Sequence, residues 1–232
     1  MRARITLLLF AILYSFTCLA QTNFEKHFTK KSLRIDFALS GNWDFQAAAI
    51  QQLREEPVWA GPVKNLIDPF GYGGYYINVY DKAGKELIYS RGFNTLFEEW
   101  RSTEQAKTET QSWTNSISIP YPKAPVIIEI TARDKADMQF HPLLKQEIDP
   151  ACIFIDRGKL KENRITKIQY NGDSSGKVDL VFLAEGYTAD EQEKFVADAK
   201  RFTEALFKTP PYDTRREDFN VWAVDAVSEE SG

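Results

Sequence analysis

Three stretches of the 232-residue chain alternate apolar and polar positions with a period of two. Leu33, Ile35, Phe37 and Leu39 fall on one side of the first, with Ser32, Arg34 and Asp36 interleaved. In the second, Ile117, Ile119 and Tyr121 oppose a row of serines, and in the third Val126, Ile128, Ile130 and Ala132 share a side. Successive strand side chains point to opposite faces, so these runs predict strands with one face buried and one wet, the antiparallel pattern. Asp68-Pro-Phe-Gly71 and Gly73-Gly74 precede a strand at Tyr75 to Tyr80, and Asp81-Lys-Ala-Gly84-Lys85 predicts a hairpin into Glu86 to Ser90. Pro120, Pro122 and Pro125 bracket strand ends, where a missing donor is tolerated. No helical period of useful length precedes residue 188, and residues 21–150 read as an antiparallel β-sandwich.

Residues 151–177 read as connecting strands and linker, with Arg164 to Tyr170 one more strand and Asn171 to Lys177 the link. The pattern then changes. Val178 to Ala184 is a nearly continuous apolar run, as in a strand covered on both faces. Thr188 with Glu191 three residues on forms a capping box. Phe195, Ala199, Phe202 and Leu206 make an apolar helical stripe, Pro210 and Pro211 stop it, and Phe219 to Ala226 is a second apolar strand. The fold class is therefore mainly β: a sandwich, followed at 178–232 by an incomplete α/β (β-α-β) segment. Two strands and one helix cannot cover both faces of a parallel sheet, so one face is expected to be open. Such a tail is expected to be protease-sensitive or aggregation-prone.

Met1 to Ala20 has Arg2 and Arg4, the apolar run Ile5 to Tyr14, and Thr17-Cys18-Leu19-Ala20 at its end. That is the layout of a secretory signal peptide cut after Ala20, giving a secreted, periplasmic or cell-surface protein. The run is too short for the roughly 20 apolar residues of a membrane span. Phe16 and Thr17 sit poorly before a lipidated Cys18. Cleavage leaves Cys152, in the apolar and strand-like Ala151 to Ile155, as a buried structural thiol. A composition of 43% hydrophobic and 13% aromatic residues excludes a disordered chain. The net charge of −4 lacks the concentrated Lys and Arg that a nucleic-acid partner requires.

Candidate chemistry is sparse. Gly71-Tyr-Gly-Gly74 lacks the spacing and following helix of a phosphate cradle and reads as a turn. Trp43, Trp59, Trp100 and Trp113 suit sandwich core, with a sugar-stacking platform as the other reading. His27 and His141, the latter placed before Pro142 in a loop, have no second His or Cys at metal-ligand spacing. In open α/β sheets ligands bind beyond the carboxyl ends of the strands. Those ends carry Glu185, Tyr187, Asp225, Glu230 and Ser231, the substrate-cleft candidates, with Gly186 and Ser228 beside them. The other reading makes them a capping turn and a solvated loop.

Val178-Asp-Leu-Val-Phe-Leu-Ala-Glu-Gly-Tyr-Thr-Ala-Asp-Glu191, Lys194-Phe195, Asp198-Ala199, Arg201-Phe202, Leu206-Phe207, Pro211-Tyr212, Phe219-Asn-Val-Trp-Ala-Val-Asp225, Ser228 and Glu230-Ser-Gly232 share their spacing with a known family. Together they resemble the opening of the catalytic domain of the IgA-peptidase family of zinc metallopeptidases, peptidase family M64. The sandwich before them resembles that family's N-terminal accessory domain. The resemblance implies a secreted bacterial zinc peptidase with a protein or peptide substrate. Its zinc sits on the two histidines of an H-E-x-x-H helix whose Glu activates water. No H-E-x-x-H occurs in these 232 residues, so no catalytic residue, metal ligand or cofactor is assigned here and the chain is expected to be inactive as written. It looks cut inside a domain. The alternative is a non-catalytic secreted sandwich that binds a glycan or a protein.

Overall fold

The computed structural model describes residues 22–83, 85–159 and 163–232, so the leader and Cys18 lie outside the described residues. The chain divides into two units. One runs through Arg54 and resumes at Val63–Ile155; the other comprises Glu55–Pro62 and Asp156–Gly232.

In the first unit a one-turn helix α1 (Phe24–His27) leads into β1 (Phe28–Gly41). There follow β2 (Gln46–Glu56), β3 (Tyr75–Asp81), β4 (Leu87–Phe93), the short helix α2 (Leu96–Trp100), β5 (Gln111–Pro122), β6 (Val126–Arg133) and β7 (Phe140–Ile148). One sheet has the order β5-β1-β2 and closes on the two-residue β8 (Ile155–Asp156); the other has the order β4-β3-β6-β7. The antiparallel register sets Leu33 opposite Ile119 and Ile35 opposite Ile117. Two predicted apolar faces lie in the core, with Leu33, Ile35, Phe37 and Leu39 of β1 and Ile128 and Ile130 of β6 fully buried; of the third, Ile119 and Tyr121 are buried and Ile117 half-buried, and β3 adds Ile77 and Val79. Phe28 meets Tyr89 at 6.4 Å and Phe37 meets Phe93 at 6.1 Å, both edge-on from one sheet to the other. The architecture is thus a sandwich.

The hairpin forms where its turn residues put it. The Ala83 N–H donates to Asp81 Oδ1 (2.6 Å), the Lys85 N–H to the Asp81 carbonyl (2.7 Å) and the Asp81 N–H to the Glu86 carbonyl (2.8 Å). Pro120 and Pro122 lie on β5, an edge strand, as a missing donor requires.

Two placements differ from the sequence reading. His141 lies in β7 rather than a loop, because β7 pairs antiparallel with β6 through His141 opposite Ala132. Ala151 to Ile155 is a turn that reaches strand geometry only at Ile155, and Cys152 in it is half-buried. Asp149 captures this segment: its Oδ1 accepts from the Ala151 N–H (2.8 Å) and its carbonyl from the Cys152 N–H (2.9 Å). That Asx turn overrides the apolar run and leaves Ile153 and Phe154 exposed.

In the second unit β9 (Ile165–Gln169), β10 (Val178–Leu183) and β11 (Phe219–Val224) form a sheet of order β10-β11-β9. β10 and β11 are parallel, Val178 opposite Phe219 through Leu183 opposite Val224, while β9 is antiparallel to β11. The predicted capping box is present. Glu191 Oε2 accepts from the Thr188 N–H (3.1 Å), ahead of helix α3 (Gln192–Leu206). Phe195 and Ala199 of α3 pack on Ala184 and Ala223 of the sheet.

The helical stripe is rotated from the predicted one. Phe195, Ala199, Thr203 and Phe207 are buried at steps of four, whereas Phe202 is 51% exposed. Thr203 tolerates burial because its hydroxyl donates to the Ala199 carbonyl at 2.7 Å, and the Arg201 guanidinium lies 4.4 Å over the Phe202 ring. The sheet face away from α3 leaves Val181, Leu183 and Ile165 exposed, Leu183 at 69%. Trp222 on that face is partly covered by Tyr170, ring to ring at 5.9 Å, and by the Lys167 ammonium.

Candidate functional site

β10 and β11 end side by side, with the Ala184 N–H donating to the Val224 carbonyl at 3.1 Å. Beyond them the chain turns at Gly186, whose φ of +73° favours glycine. A Cβ there would also come within 3.2 Å of the Gly232 backbone. The Gly186 N–H donates to Ser228 Oγ (2.9 Å), the Ser228 N–H to the Tyr187 carbonyl (2.9 Å), and the Gly232 N–H to the Gly186 carbonyl (2.9 Å). Residues 228–232 therefore run along the turn that opens α3.

The structure gathers some of the five candidates here and sends others to solvent. Ser231 Oγ donates to Glu191 Oε1 at 3.0 Å, which ties it to the capping box. Hydrogen bonds from the Thr188 backbone and then from Ser231 hold the Glu191 carboxyl below its ordinary pKa. Tyr187 is half-buried with its ring 5.2 Å from Phe195, and its hydroxyl donates to Asp198 Oδ2 at 3.1 Å. That bond raises the phenol above its ordinary value. Asp225 is buried at the end of β11, its Oδ2 3.7 Å from Arg164 Nε, and its Oδ1 has no hydrogen-bond partner among the described residues. Glu185 and Glu230 are exposed.

Asp198, Gln192 and Arg164 also shape this corner and were not singled out from the sequence. Gln192 Nε2 donates to the Tyr187 and Thr188 carbonyls at 3.1 and 2.8 Å. The one readable signal was Asp198 and Arg201 at i,i+3 on the helix, an ion pair of 2.9 Å.

Among the described residues no group of three or more His, Cys, Asp and Glu converges as a metal site would need. His141 Nε2 is instead 2.8 Å from Asp137 Oδ2. These residues therefore do not fit a catalytic zinc. The tryptophans do not form a common platform either. Trp100 is buried against Phe97 (5.7 Å) and Trp113 (6.4 Å), Trp59 donates to the Pro62 carbonyl at 3.1 Å, and of the four Trp43 alone is exposed.

Several carboxyls sit below their ordinary range, which fixes the sign of the acid response. Burial pushes Asp179 up, but hydrogen bonds from the Trp222 indole (2.8 Å), the Asn220 amide (2.9 Å) and Ser174 outweigh it and hold the group low. A carboxyl whose pKa falls on folding stabilises the fold above its unfolded value of about 4, and that contribution is lost as pH drops through the folded value. Thermal melts should be flat near neutrality and fall below about pH 4, and Asp179→Asn should flatten part of that acid limb. A melting temperature that rose on acidification would contradict this.

Residues 23–143 match the family model described as Peptidase M64 N-terminus, and residues 166–232 match that of IgA Peptidase M64. The chain belongs to peptidase family M64. No curated protein matches it. Among the described residues no helix is long and apolar enough to cross a membrane.

Proposed function

We propose that this chain supplies the sandwich accessory unit and the opening strands of the catalytic unit of a secreted zinc metallopeptidase that acts on protein. The observation that supports this most is the serial match: the M64 N-terminus model falls on the sandwich strands, and the IgA Peptidase M64 model on the sheet and helix that follow. In this reading the leader Met1 to Ala20 directs export. The zinc-binding histidines belong to an H-E-x-x-H helix outside the 232 residues. Tyr187 and Ser231, held by Asp198 and Glu191, form one wall of the substrate cleft, and Glu185 and Glu230 stand at its lip.

The test begins with the coding sequence past the Gly232 codon. An open frame that leads to H-E-x-x-H is expected. The longer polypeptide should bind about one zinc and hydrolyse casein in a chelator-sensitive way, while residues 21–232 alone should not. A stop codon at that point, a longer polypeptide without zinc, or casein hydrolysis by the 232 residues alone would overturn the reading. N-terminal sequencing of exported protein should begin at Gln21.

A further inference from the structure

The sandwich unit carries a cavity of about 240 Å³ whose walls bring together Trp43, Asp44, Gln46, Arg101, Arg133 and Asp134. Nothing in the peptidase reading uses it. Trp43 is 55% exposed, yet the loop that carries it is braced on every side. Asn42 Oδ1 accepts from the Asp44 and Phe45 N–H groups (2.9 and 3.1 Å), and the Asn42 N–H donates to the Phe45 carbonyl at 2.9 Å. The Trp43 N–H donates to the Ala106 carbonyl at 3.1 Å. Arg101 crosses from beyond α2, donating from Nε to the Asn42 carbonyl (2.6 Å) and from Nη2 to the Trp43 carbonyl (3.3 Å). At the loop's start Gly41 has a φ of +150°, and a Cβ there would strike the Phe45 carbonyl oxygen at 2.2 Å. These contacts fix the backbone of the loop, so the indole is presented to solvent from a preorganised base at the cavity wall.

The Arg133 wall is equally rigid. Its Nε donates to the Gly73 carbonyl (3.2 Å), Nη1 to the Met138 carbonyl (2.9 Å) and Nη2 to the Gly71 carbonyl, while the guanidinium lies 4.3 Å over the Phe140 ring. Both arginines are held by carbonyl oxygens, which carry no net charge, so their positive charge remains available on the cavity wall. Lys135 adds a third cation, and Asp44, Asp134 and the Gln46 amide supply acceptors.

We infer that this cavity binds a saccharide ring, the C–H face of the sugar on the Trp43 indole and its hydroxyls shared among Arg101, Asp44 and Asp134. The chemistry favours a sugar over the other ligands of such a cavity. Each hydroxyl both donates and accepts, and so takes up cationic donors and carboxylate acceptors together. An acidic peptide would pair with the cations but bring no donors for Asp44 and Asp134. An apolar segment would bury all of these charges unpaired.

The test is an array of short neutral hexose, N-acetylhexosamine and uronate oligosaccharides probed with residues 21–232, followed by titration calorimetry of the best binder. Saturable binding is expected, weakened about tenfold or more by Trp43→Ala and by Asp44→Asn. Phe70→Ala, an exposed ring outside the cavity, should leave it unchanged. Two separate substitutions guard against one of them failing to fold. Retention of no saccharide, binding indifferent to both substitutions, or capture of a labelled acidic peptide in place of sugars would overturn the assignment. None of these outcomes depends on zinc or on hydrolysis.

Discussion

Phe37→Ala should lower the stability of the sandwich unit by about 3–5 kcal/mol. Phe37 is fully buried in the middle of β1 and meets Phe93 of the opposite sheet edge-on at 6.1 Å. Phe93 in turn stacks on Tyr75 at 5.5 Å, so the ring ties β1 to both β4 and β3. Truncation removes the transfer free energy of the side chain and leaves a cavity that two flanking sheets cannot close. The melting temperature of that unit should fall by roughly 10–15 °C. Phe70→Ala, at an exposed ring, should stay within about 0.5 kcal/mol of the parent. Guanidinium melts of the two variants measure the contrast, and a Phe37→Ala loss below about 1 kcal/mol would show that the sheets collapse onto the gap.

Asn220→Ala should cost the second unit about 2–4 kcal/mol, although it removes only a small polar side chain. Asn220 is fully buried in β11. Its Oδ1 accepts from the Asn171 N–H (2.8 Å), and its Nδ2 donates to the Gly172 carbonyl (3.0 Å) and to Asp179 Oδ1 (2.9 Å). The side chain thereby replaces a strand partner for the loop between β9 and β10. Its loss leaves a backbone donor, a backbone acceptor and a carboxylate short of partners. Asn220→Asp should be worse, because it sets a second carboxylate against Asp179. Amide hydrogen exchange along β11 under rising denaturant reports on this unit, and an Asp variant as stable as the parent would refute the proposed role of the amide.

The strands legible in the sequence are those whose two faces differ in chemistry. β1 and β6 have one apolar face, and the structure buries the residues that alternation selected. β2 was not legible because Gln46-Ala-Ala-Ala-Ile-Gln-Gln-Leu-Arg-Glu-Glu56 buries no residue fully on either face. β7 was hidden by His141-Pro142, which suggests a loop, although a register shift between Ile130 and Thr131 of β6 accommodates it. The capping box was readable because it is local, whereas the phase of the α3 stripe was not. Phe202 and Thr203 exchange places on grounds of an internal hydroxyl bond and a covering arginine, which hydrophobicity does not encode. At the strand ends Tyr187 and Ser231 were named by position alone, and their bonds to Asp198 and to the capping-box residue Glu191 are seen only when the helix and the turn are in place. Of the saccharide cavity only the tryptophans were visible in the sequence, with core and sugar-stacking platform both open, and the exposure of Trp43 alone among the four is a finding of the structure. The loop that carries Trp43 is tied down by Arg101, more than fifty positions along the chain.

The interleaving of the two units bears on how such proteins diversify. Because Glu55–Pro62 belongs with the second unit while the residues on either side belong with the sandwich, the chain passes from one unit to the other three times. A recombination event at a single junction cannot trade one sandwich for another. It would either strip eight residues from the second unit or carry them into a foreign setting. The ion pair between Arg157 and Glu55, at 3.4 Å, would be separated by any such exchange. An exchange that kept both units whole would have to carry residues 55–62 along with 156–232.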